Sequence, residues 1–389
     1  MEKTVYFDNS ATTKICPEAL QVYCRVSSED YGNPSSLHAL GFSSEKILDR
    51  AREDILASLS AKGSTAVFTA SGSEANNLAI IGRAYAKERY RRGAKIITTE
   101  GEHASVGSPL DRLEKEGFKI VRIPTARGEV DLERLSEELD KSVILVTMMM
   151  VNNETGALYD LGAVSKLMRA RSPEAVLHAD CTQSYLKIPF TKASIGADLI
   201  TLSSHKIEGP KGVGALIVDP GVIKNKGLSP LILGGGQEGG LRSGTENVPG
   251  IAAFAEAARI GKAQLLSRYE RMNSLRRLII KRISESEELS EISMTLPKRH
   301  APHILNVTLP KIRSETMLHY LSSLGVYVSS GSACSSNSGG VSSALTAYGR
   351  SAEEADSSIR ISLSHRNTEE EVDILIEALG TGVKKLQRK

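Results

Sequence analysis

Short apolar runs alternate with amphipathic stretches of helix length through the first half of the chain. The runs that suit buried strands lie at 65–69, 94–99, 119–123, 142–147 and 215–218, with two more that end at Asp180 and Ser203. Strands separated by helices pair in parallel, because the connecting helix returns the chain to the same end of the sheet. The sequence therefore predicts an α/β fold in which a mainly parallel seven-stranded sheet lies between helices.

The length of the chain requires more than one hydrophobic core. With 389 residues, it exceeds what one core usually fills and suits a large domain plus a smaller one. The strand–helix alternation stops near residue 248, where a long helical segment leads into a region of mixed strands and helices. We therefore expect a larger domain at 14–250 and a smaller α+β domain formed by 1–13 and 251–389.

Charge and cysteine content exclude several classes of function. Lys and Arg are interleaved with Asp and Glu, and the net charge is +3, which argues against a nucleic-acid or membrane surface as a partner. No apolar run is long enough to span a bilayer and no signal peptide precedes the first strand, so we expect a cytoplasmic protein. The four cysteines form no C-x-x-C pair, so free thiols and no metal site are expected.

Polar side chains follow two neighbouring strands of the predicted sheet. Asp180 and Gln183 end one strand, and Ser203, His205 and Lys206 end the next. An open α/β sheet binds ligands at these strand ends. An amine that can condense with an aldehyde, beside a carboxylate that can keep a ring nitrogen protonated, is what a pyridoxal phosphate enzyme needs. Taken singly, Lys206 is explained as well by a solvated lysine and Asp180 by a turn.

Two further segments suit a phosphate and a flat ring. The strand at 65–69 leads through a turn of small residues, with Gly72 and Ser73, into a helix whose N-terminus favours an anion. His103 follows the next strand and could stack on a ring, although a surface histidine that caps a helix would look the same. The glycine-rich segment 234–247 is either a connector or a loop that brings Thr245 to a phosphate in a partner subunit.

The segment 329–340 places one thiol, Cys334, among serine, glycine, alanine and asparagine. Such a composition buries little apolar surface, so we expect an exposed, mobile loop, in which a cysteine is better explained as a nucleophile than as packing. Arg360, on a strand of the smaller domain, could clamp a substrate carboxylate or form an ordinary surface ion pair.

Together these pieces resemble the cysteine desulfurases of the class V aminotransferase group, the NifS/IscS-like enzymes. The matching motifs follow the order of that family and cover nearly the whole chain: 8–13 (DNSATT), 32–36 (GNPSS), Glu102-His103, Asn152-Asn153-Glu154, Asp180-Cys181-Thr182-Gln183, Ser204-His205-Lys206, 209–212 (GPKG), 234–238 (GGGQE), 242–245 (RSGT) and 331–334 (GSAC). The sequence departs from the commoner pattern at Met150, Cys181 and Glu208. The resemblance implies a fold type I pyridoxal phosphate enzyme.

The resemblance also implies roles for the cofactor-binding residues. Lys206 would bind the cofactor and later move the substrate's α-proton, while Asp180 would pair with the pyridine nitrogen. Gln183 would contact the phenolic oxygen, and His103 would stack on the ring and shuttle protons. The phosphate would be held by Gly72, Ser73, Ser203 and His205, with Thr245 donated across a homodimer interface.

For the substrate, L-cysteine, the resemblance implies that Asn33, Asn153 and Arg360 orient the amino acid and that Arg360 takes its carboxylate. Cys334 would accept the sulfur as a persulfide, leave alanine, and pass the sulfur to an acceptor such as an iron–sulfur scaffold protein. An aminotransferase or a selenocysteine lyase of the same fold, and a sulfur-carrier scaffold without turnover, remain as alternatives.

Overall fold

The computed structural model describes residues 4–86, 94–330 and 341–387, so Cys334 lies outside the described residues. The strands are β1 Val5–Tyr6, β2 Thr65–Thr69, β3 Lys95–Thr99, β4 Lys119–Ile123, β5 Val143–Met149, β6 Val176–Asp180, β7 Leu199–Ser203, β8 Gly214–Val218, β9 Ser293–Thr295, β10 Ile304–Thr308, β11 Val326–Tyr327, β12 Ser329–Ser330 and β13 Ser358–Ser362.

The helices are α1 Pro17–Ser28, α2 Ala39–Ser58, α3 Gly72–Ala84, α4 Ala104–Lys115, α5 Leu132–Glu138, α6 Leu161–Arg171, α7 Lys192–Ile195, α8 Pro220–Lys224, α9 Val248–Ala263, α10 Leu265–Glu285, α11 Ser314–Ser323, α12 Ser343–Tyr348, α13 Ala352–Asp356 and α14 Glu369–Leu386. Within the part of the chain that the structure describes, no helix has both the length and the apolar character of a membrane span.

Seven strands form the large sheet in the order β2-β8-β7-β6-β5-β3-β4. All neighbouring pairs are parallel except those of β8, which runs antiparallel to both β2 and β7. The prediction of a mainly parallel seven-stranded sheet is confirmed. Because β6 and β7 are parallel neighbours, their carboxyl ends bring Asp180 and the residues after Ser203 to one edge of the sheet.

Helices cover both faces of this sheet. Successive strand residues point to opposite faces, and the buried side chains divide accordingly: Ala66 and Phe68 lie in one core with helices α1, α2 and α9, and Val67 lies in a second core with α3 and α4. Burial on both faces explains why β5, β7 and β8 are mostly apolar and show no regular alternation with polar residues.

A third core lies in the C-terminal region. It joins β10 and β13 of a four-stranded sheet, ordered β12-β13-β10-β9, with helices α10, α11 and α14. Val5 and Phe7 of the N-terminal arm pack into this core, and β1 pairs in parallel with β11. The domain boundary at residue 250 stays a prediction. Helix α9 packs into the core of the large sheet, and α10 supplies the third core.

Candidate active site

A cavity of about 800 Å³ opens at the carboxyl ends of β6 and β7. Most of the predicted site residues line it: Gly72, Ser73, His103, Asn153, Asp180, Gln183, Ser203, His205, Lys206 and Arg360. Ser330 and Val341, the described residues on either side of segment 331–340, line it as well. The structure thus brings together residues from both halves of the chain, which the sequence places far apart.

Lys206 ends a single 3₁₀ turn, Ser204–Lys206, that follows β7 directly. Its Nζ donates hydrogen bonds to the carbonyl oxygens of Ser10, at 2.5 Å, and Ala11, at 2.8 Å. The N-terminal arm therefore fixes the amine inside the cavity. The motif 8–13, which the sequence offered without a role, supplies these two acceptors.

Asp180 is buried at the end of β6, and its carboxylate accepts two hydrogen bonds. Asn76 Nδ2 donates to Oδ2 at 2.8 Å, and the backbone N–H of Thr182 donates to Oδ1 at 2.9 Å. Sequence reasoning missed Asn76. Its position three residues after Ser73, on the first turns of α3, places both side chains on one face of that helix and could have identified it.

His103 is both the N-cap of α4 and a wall of the cavity. Its Nδ1 lies 2.8 Å from Ser105 Oγ and accepts the Ser105 N–H at 3.1 Å. Burial lowers the pKa of His103, and the positive charges of Lys206 and Arg360 lower it further, against the opposing effect of Asp180. The imidazole is therefore neutral near pH 7, in the state that can accept a proton.

The turn between β2 and α3 is a small-residue cradle at a helix N-terminus. A Cβ on Gly72 would lie 3.2 Å from Ser203 Cβ and from Thr182 Oγ1, so a larger residue would fill the space beside Ser203. Gln183 lines the same cavity, and its Nε2 donates to Ser10 O at 3.0 Å. The buried Oε1 of Gln183 has no hydrogen-bond partner among the described residues. The cradle therefore leaves room and donors for an anionic group, and the open Oε1 of Gln183 can accept a hydrogen bond from another group of the same ligand.

Arg360 on β13 reaches the opposite wall of the cavity. Its Nη2 lies 3.0 Å from Asp8 Oδ1 and its Nη1 donates to Asn153 O at 2.9 Å, while its buried Nε has no partner among the described residues. The guanidinium is thus held by the N-terminal arm and by the loop after β5, and its Nε–H remains available to donate to a ligand.

Two predicted residues do not line this cavity. Asn33 and Thr245 are both exposed. The segment that carries Thr245 is tied to helix α3, because Arg242 Nε pairs with Glu74 Oε1 at 2.9 Å. The roles given to Asn33 and Thr245 stay predictions. Among residues 4–86, 94–330 and 341–387, no three or more His, Cys, Asp or Glu side chains are arranged to hold a metal ion.

The structure adds two carboxyl groups to which the sequence motifs gave no role. Glu102 accepts the N–H of Met149 through both oxygens at 3.0 Å and the hydroxyl of Thr99 at 2.5 Å. Glu154 accepts the hydroxyl of Ser342 at 2.5 Å. Burial raises the pKa of Glu102 to about 8 and that of Glu154 to about 7.

The pKa of Glu102 predicts a pH-dependent stability. Between its ordinary value of 4.5 and about 8, the folded chain keeps the proton that the unfolded chain has released. Folding stability should therefore fall as pH rises through this window. We expect the melting temperature of Glu102→Gln, relative to the parent chain, to rise steadily from pH 5 to pH 8, as measured by thermal unfolding.

Glu100→Gln provides the matched control, because Glu100 is exposed two residues away. Its effect on melting temperature should not vary with pH over the same range. A constant difference between Glu102→Gln and the parent chain at all pH values would contradict the prediction.

Comparison with known proteins agrees with this geometry. The Aminotransferase class-V family profile matches residues 5–375. The chain is 38% identical over 383 residues to cysteine desulfurase IscS 1 of Archaeoglobus fulgidus, covering 98% of this chain and 97% of the relative.

Two solved structures share the fold. A NifS-like protein superimposes with a TM-score of 0.90 at 34% identity, covering 98% of this chain and 100% of the other. SspA in complex with cysteine superimposes with a TM-score of 0.79 at 31% identity, covering 94% of this chain and 100% of the other. The chain therefore belongs to the class V aminotransferase family and, within it, to the NifS/IscS-like group.

Proposed function

We propose that this protein is a cysteine desulfurase, which removes sulfur from L-cysteine with pyridoxal 5′-phosphate as cofactor. One observation carries the proposal. Lys206, Asp180, His103 and Arg360 line a single cavity, and the chain enters and leaves segment 331–340, which contains Cys334, at the wall of that cavity. The similarity to cysteine desulfurases over nearly the full length supports it.

The residues present fit pyridoxal phosphate. Asp180 offers a buried carboxylate, already oriented by two donors, to a protonated ring nitrogen. The space beside Gly72, with the helix N-terminus and the hydroxyls of Ser73 and Ser203, suits the phosphate. His205 would donate a hydrogen bond to the phosphate, and Thr245 of a second subunit would also contact the phosphate. Gln183 would contact the phenolic oxygen of the cofactor through its open amide oxygen.

The cofactor supplies an aldehyde for an amine and a ring that takes up electrons released from the substrate's Cα. Lys206 then holds and moves the proton at Cα, and the neutral His103 accepts and returns protons at the substrate. Arg360 binds the substrate carboxylate, and Asn153 and Asn33 orient the amino acid. The roles of Lys206, His103, Arg360 and Asn153 rest on the family resemblance and on the shared cavity, and the role of Asn33 rests on the resemblance alone.

The sulfur transfer balances without a further reactant. The thiolate of Cys334 attacks Sγ of the bound cysteine, an S–S bond forms, and the substrate's Cβ–Sγ bond breaks. Cβ keeps the electron pair and takes up a proton, which gives L-alanine, while the transferred sulfur remains on Cys334 as a persulfide. The persulfide would then pass to an acceptor protein, such as an iron–sulfur scaffold.

We also propose that the protein acts as a homodimer in the cytoplasm. Large apolar side chains within residues 31–42 are exposed, among them Tyr31, Phe42 and Leu37, which is 92% exposed. Exposed apolar residues of this size are typical of association surfaces. The exposed Thr245 would reach a neighbouring subunit's cavity from such a dimer.

The test is a single-turnover reaction of the holoprotein with L-cysteine in the absence of reductant. We expect one alanine per active site, and the peptide that contains Cys334 should gain the mass of one sulfur atom. Cys334→Ser should form alanine at least about a hundredfold more slowly. Cys24→Ser, which removes an exposed thiol elsewhere, should behave like the parent chain.

Other outcomes would contradict the proposal in distinct ways. Formation of 3-mercaptopyruvate, which keeps the substrate's sulfur, without persulfide would indicate an aminotransferase. Full alanine production by Cys334→Ser would remove the thiol from the mechanism. A purified protein that never gains the yellow colour of bound cofactor would favour a scaffold without turnover.

A further inference from the structure

Glu208 lies two residues after Lys206, and the chemistry proposed above does not use it. Its side chain is 8% exposed, and its backbone adopts φ of +67°, a left-handed conformation uncommon for a residue with a side chain. A charged residue that is both buried and in this backbone region needs a specific set of contacts to hold it there.

Two arginines from separate elements of the C-terminal region surround this carboxylate. Arg366 Nε lies 2.7 Å from Oε1, and Arg268 Nη1 of helix α10 lies 3.3 Å from Oε2. His365 Nδ1 is 4.0 Å from Oε1, and burial together with Arg268 lowers the pKa of His365 to about 4, so it is neutral. Burial alone would raise the pKa of Glu208, but Arg366 and the other positive charges hold it below its ordinary value.

The backbone of Glu208 is tied to the N-terminal arm at the same time. Its N–H donates to Thr13 Oγ1 at 2.8 Å, and its carbonyl accepts the N–H of Cys16 at 2.9 Å. The hydroxyl of Thr13 in turn donates to His205 O at 2.8 Å. The turn that carries Lys206 is therefore fixed by its backbone on one side and by the Glu208 carboxylate on the other.

Arg366 connects this turn to the strand that carries Arg360. It lies six residues after Arg360, in the turn between β13 and α14, where Asn367 Nδ2 donates to Tyr6 O at 3.0 Å. The chain segments that carry the two ion-pair partners pack in different cores. Ile207, next to Glu208, packs in a core of the large sheet, and Ile361, on the strand before Arg366, packs in the third core. The ion pair between Glu208 and Arg366 thus links the segment after β7 of the large sheet to the segment after β13 of the smaller sheet. Residues of both sheets line the cavity.

We propose that Glu208 is a positioning residue, which acts through Arg366 and Arg268 to fix the separation of Lys206 from Arg360 and so sets how tightly the site holds an amino-acid carboxylate. This proposal rests on the proposed function. It explains why a buried carboxylate directly follows the lysine turn, because the two groups that must hold one small substrate belong to different sheets and both line the cavity.

The experiment compares Glu208→Gln with the parent holoenzyme. We expect KM for L-cysteine to rise about tenfold while kcat changes less than about threefold, because the loss falls on substrate binding. Calorimetric binding of L-alanine should weaken about tenfold, and binding of cysteamine, which has no carboxylate, should not change. Arg366→Gln, at a more exposed position, should reproduce the effect, and Glu270→Gln, an exposed carboxyl on α10, should not.

A double variant tests whether the effect passes through Arg360. In an Arg360→Gln background, Glu208→Gln should add no further rise in KM. Equal weakening of L-alanine and cysteamine, or an unchanged KM in both Glu208→Gln and Arg366→Gln, would overturn the proposal. If the parent protein forms no alanine from L-cysteine, the proposed function has failed instead, and the two failures are distinguishable.

Discussion

Replacing Lys206 by alanine is expected to slow alanine formation from L-cysteine by at least about a thousandfold. The variant loses the amine that Ser10 and Ala11 hold inside the cavity, and with it the group that would bind the cofactor and move the α-proton. The measurement is the initial rate of alanine formation, with thermal unfolding of the same sample to show that the fold is intact.

Lys224→Ala is the control for this variant. Lys224 ends helix α8, and its side chain is exposed. Its removal should leave the rate within about twofold of the parent chain, as expected for a surface substitution away from the site. A Lys206→Ala protein that is folded and retains a tenth or more of the activity would rule out the assigned role.

Replacing Asp180 by asparagine is expected to slow the reaction by about a hundredfold or more. The carboxylate would pair with a protonated ring nitrogen, and a neutral amide cannot stabilise that charge. Asn76 and the Thr182 N–H, which now donate to Asp180, would also face an amide group that matches them less well. The rate of alanine formation and the amount of cofactor retained after dialysis measure the effect.

Asp49→Asn, an exposed carboxylate on α2, serves as the control for the loss of one negative charge. It should affect neither the rate nor cofactor retention. If Asp180→Asn turned over within about threefold of the parent chain while Lys206→Ala was inactive, the cofactor's ring would have to be protonated by some other group.

The parts of the fold that local sequence determines were predictable. Apolar runs followed by small residues and amphipathic stretches identified the strands of the large sheet. The antiparallel direction of β8 was missed, although the connection from β7 contains no crossover helix and is short enough to favour an antiparallel pair. The strand β9, of three residues, is too short to show a period of two.

In the candidate site, too, local sequence patterns identified some residues, and only the complete fold revealed others. Residues at strand ends, such as Asp180 and Lys206, could be placed at the cavity because parallel strands share an edge. The contact between Arg360 and Asp8 joins residues 352 positions apart, and no local pattern reports such a pair. Glu102 and Glu154 were missed for a related reason: their altered pKa values come from burial, which only the complete fold creates.

The position of the N-terminal arm has a consequence for how the protein matures during translation. Residues 5–13 are synthesised long before their strand partner β11, and the ion-pair partner of Asp8 follows it by 352 residues. The nascent chain can fold its large sheet early, but the two carbonyls that anchor Lys206 come into place only when the C-terminal strands have arrived. We therefore expect the turn that carries Lys206 to reach its final contacts only after β11 and β13 have been synthesised.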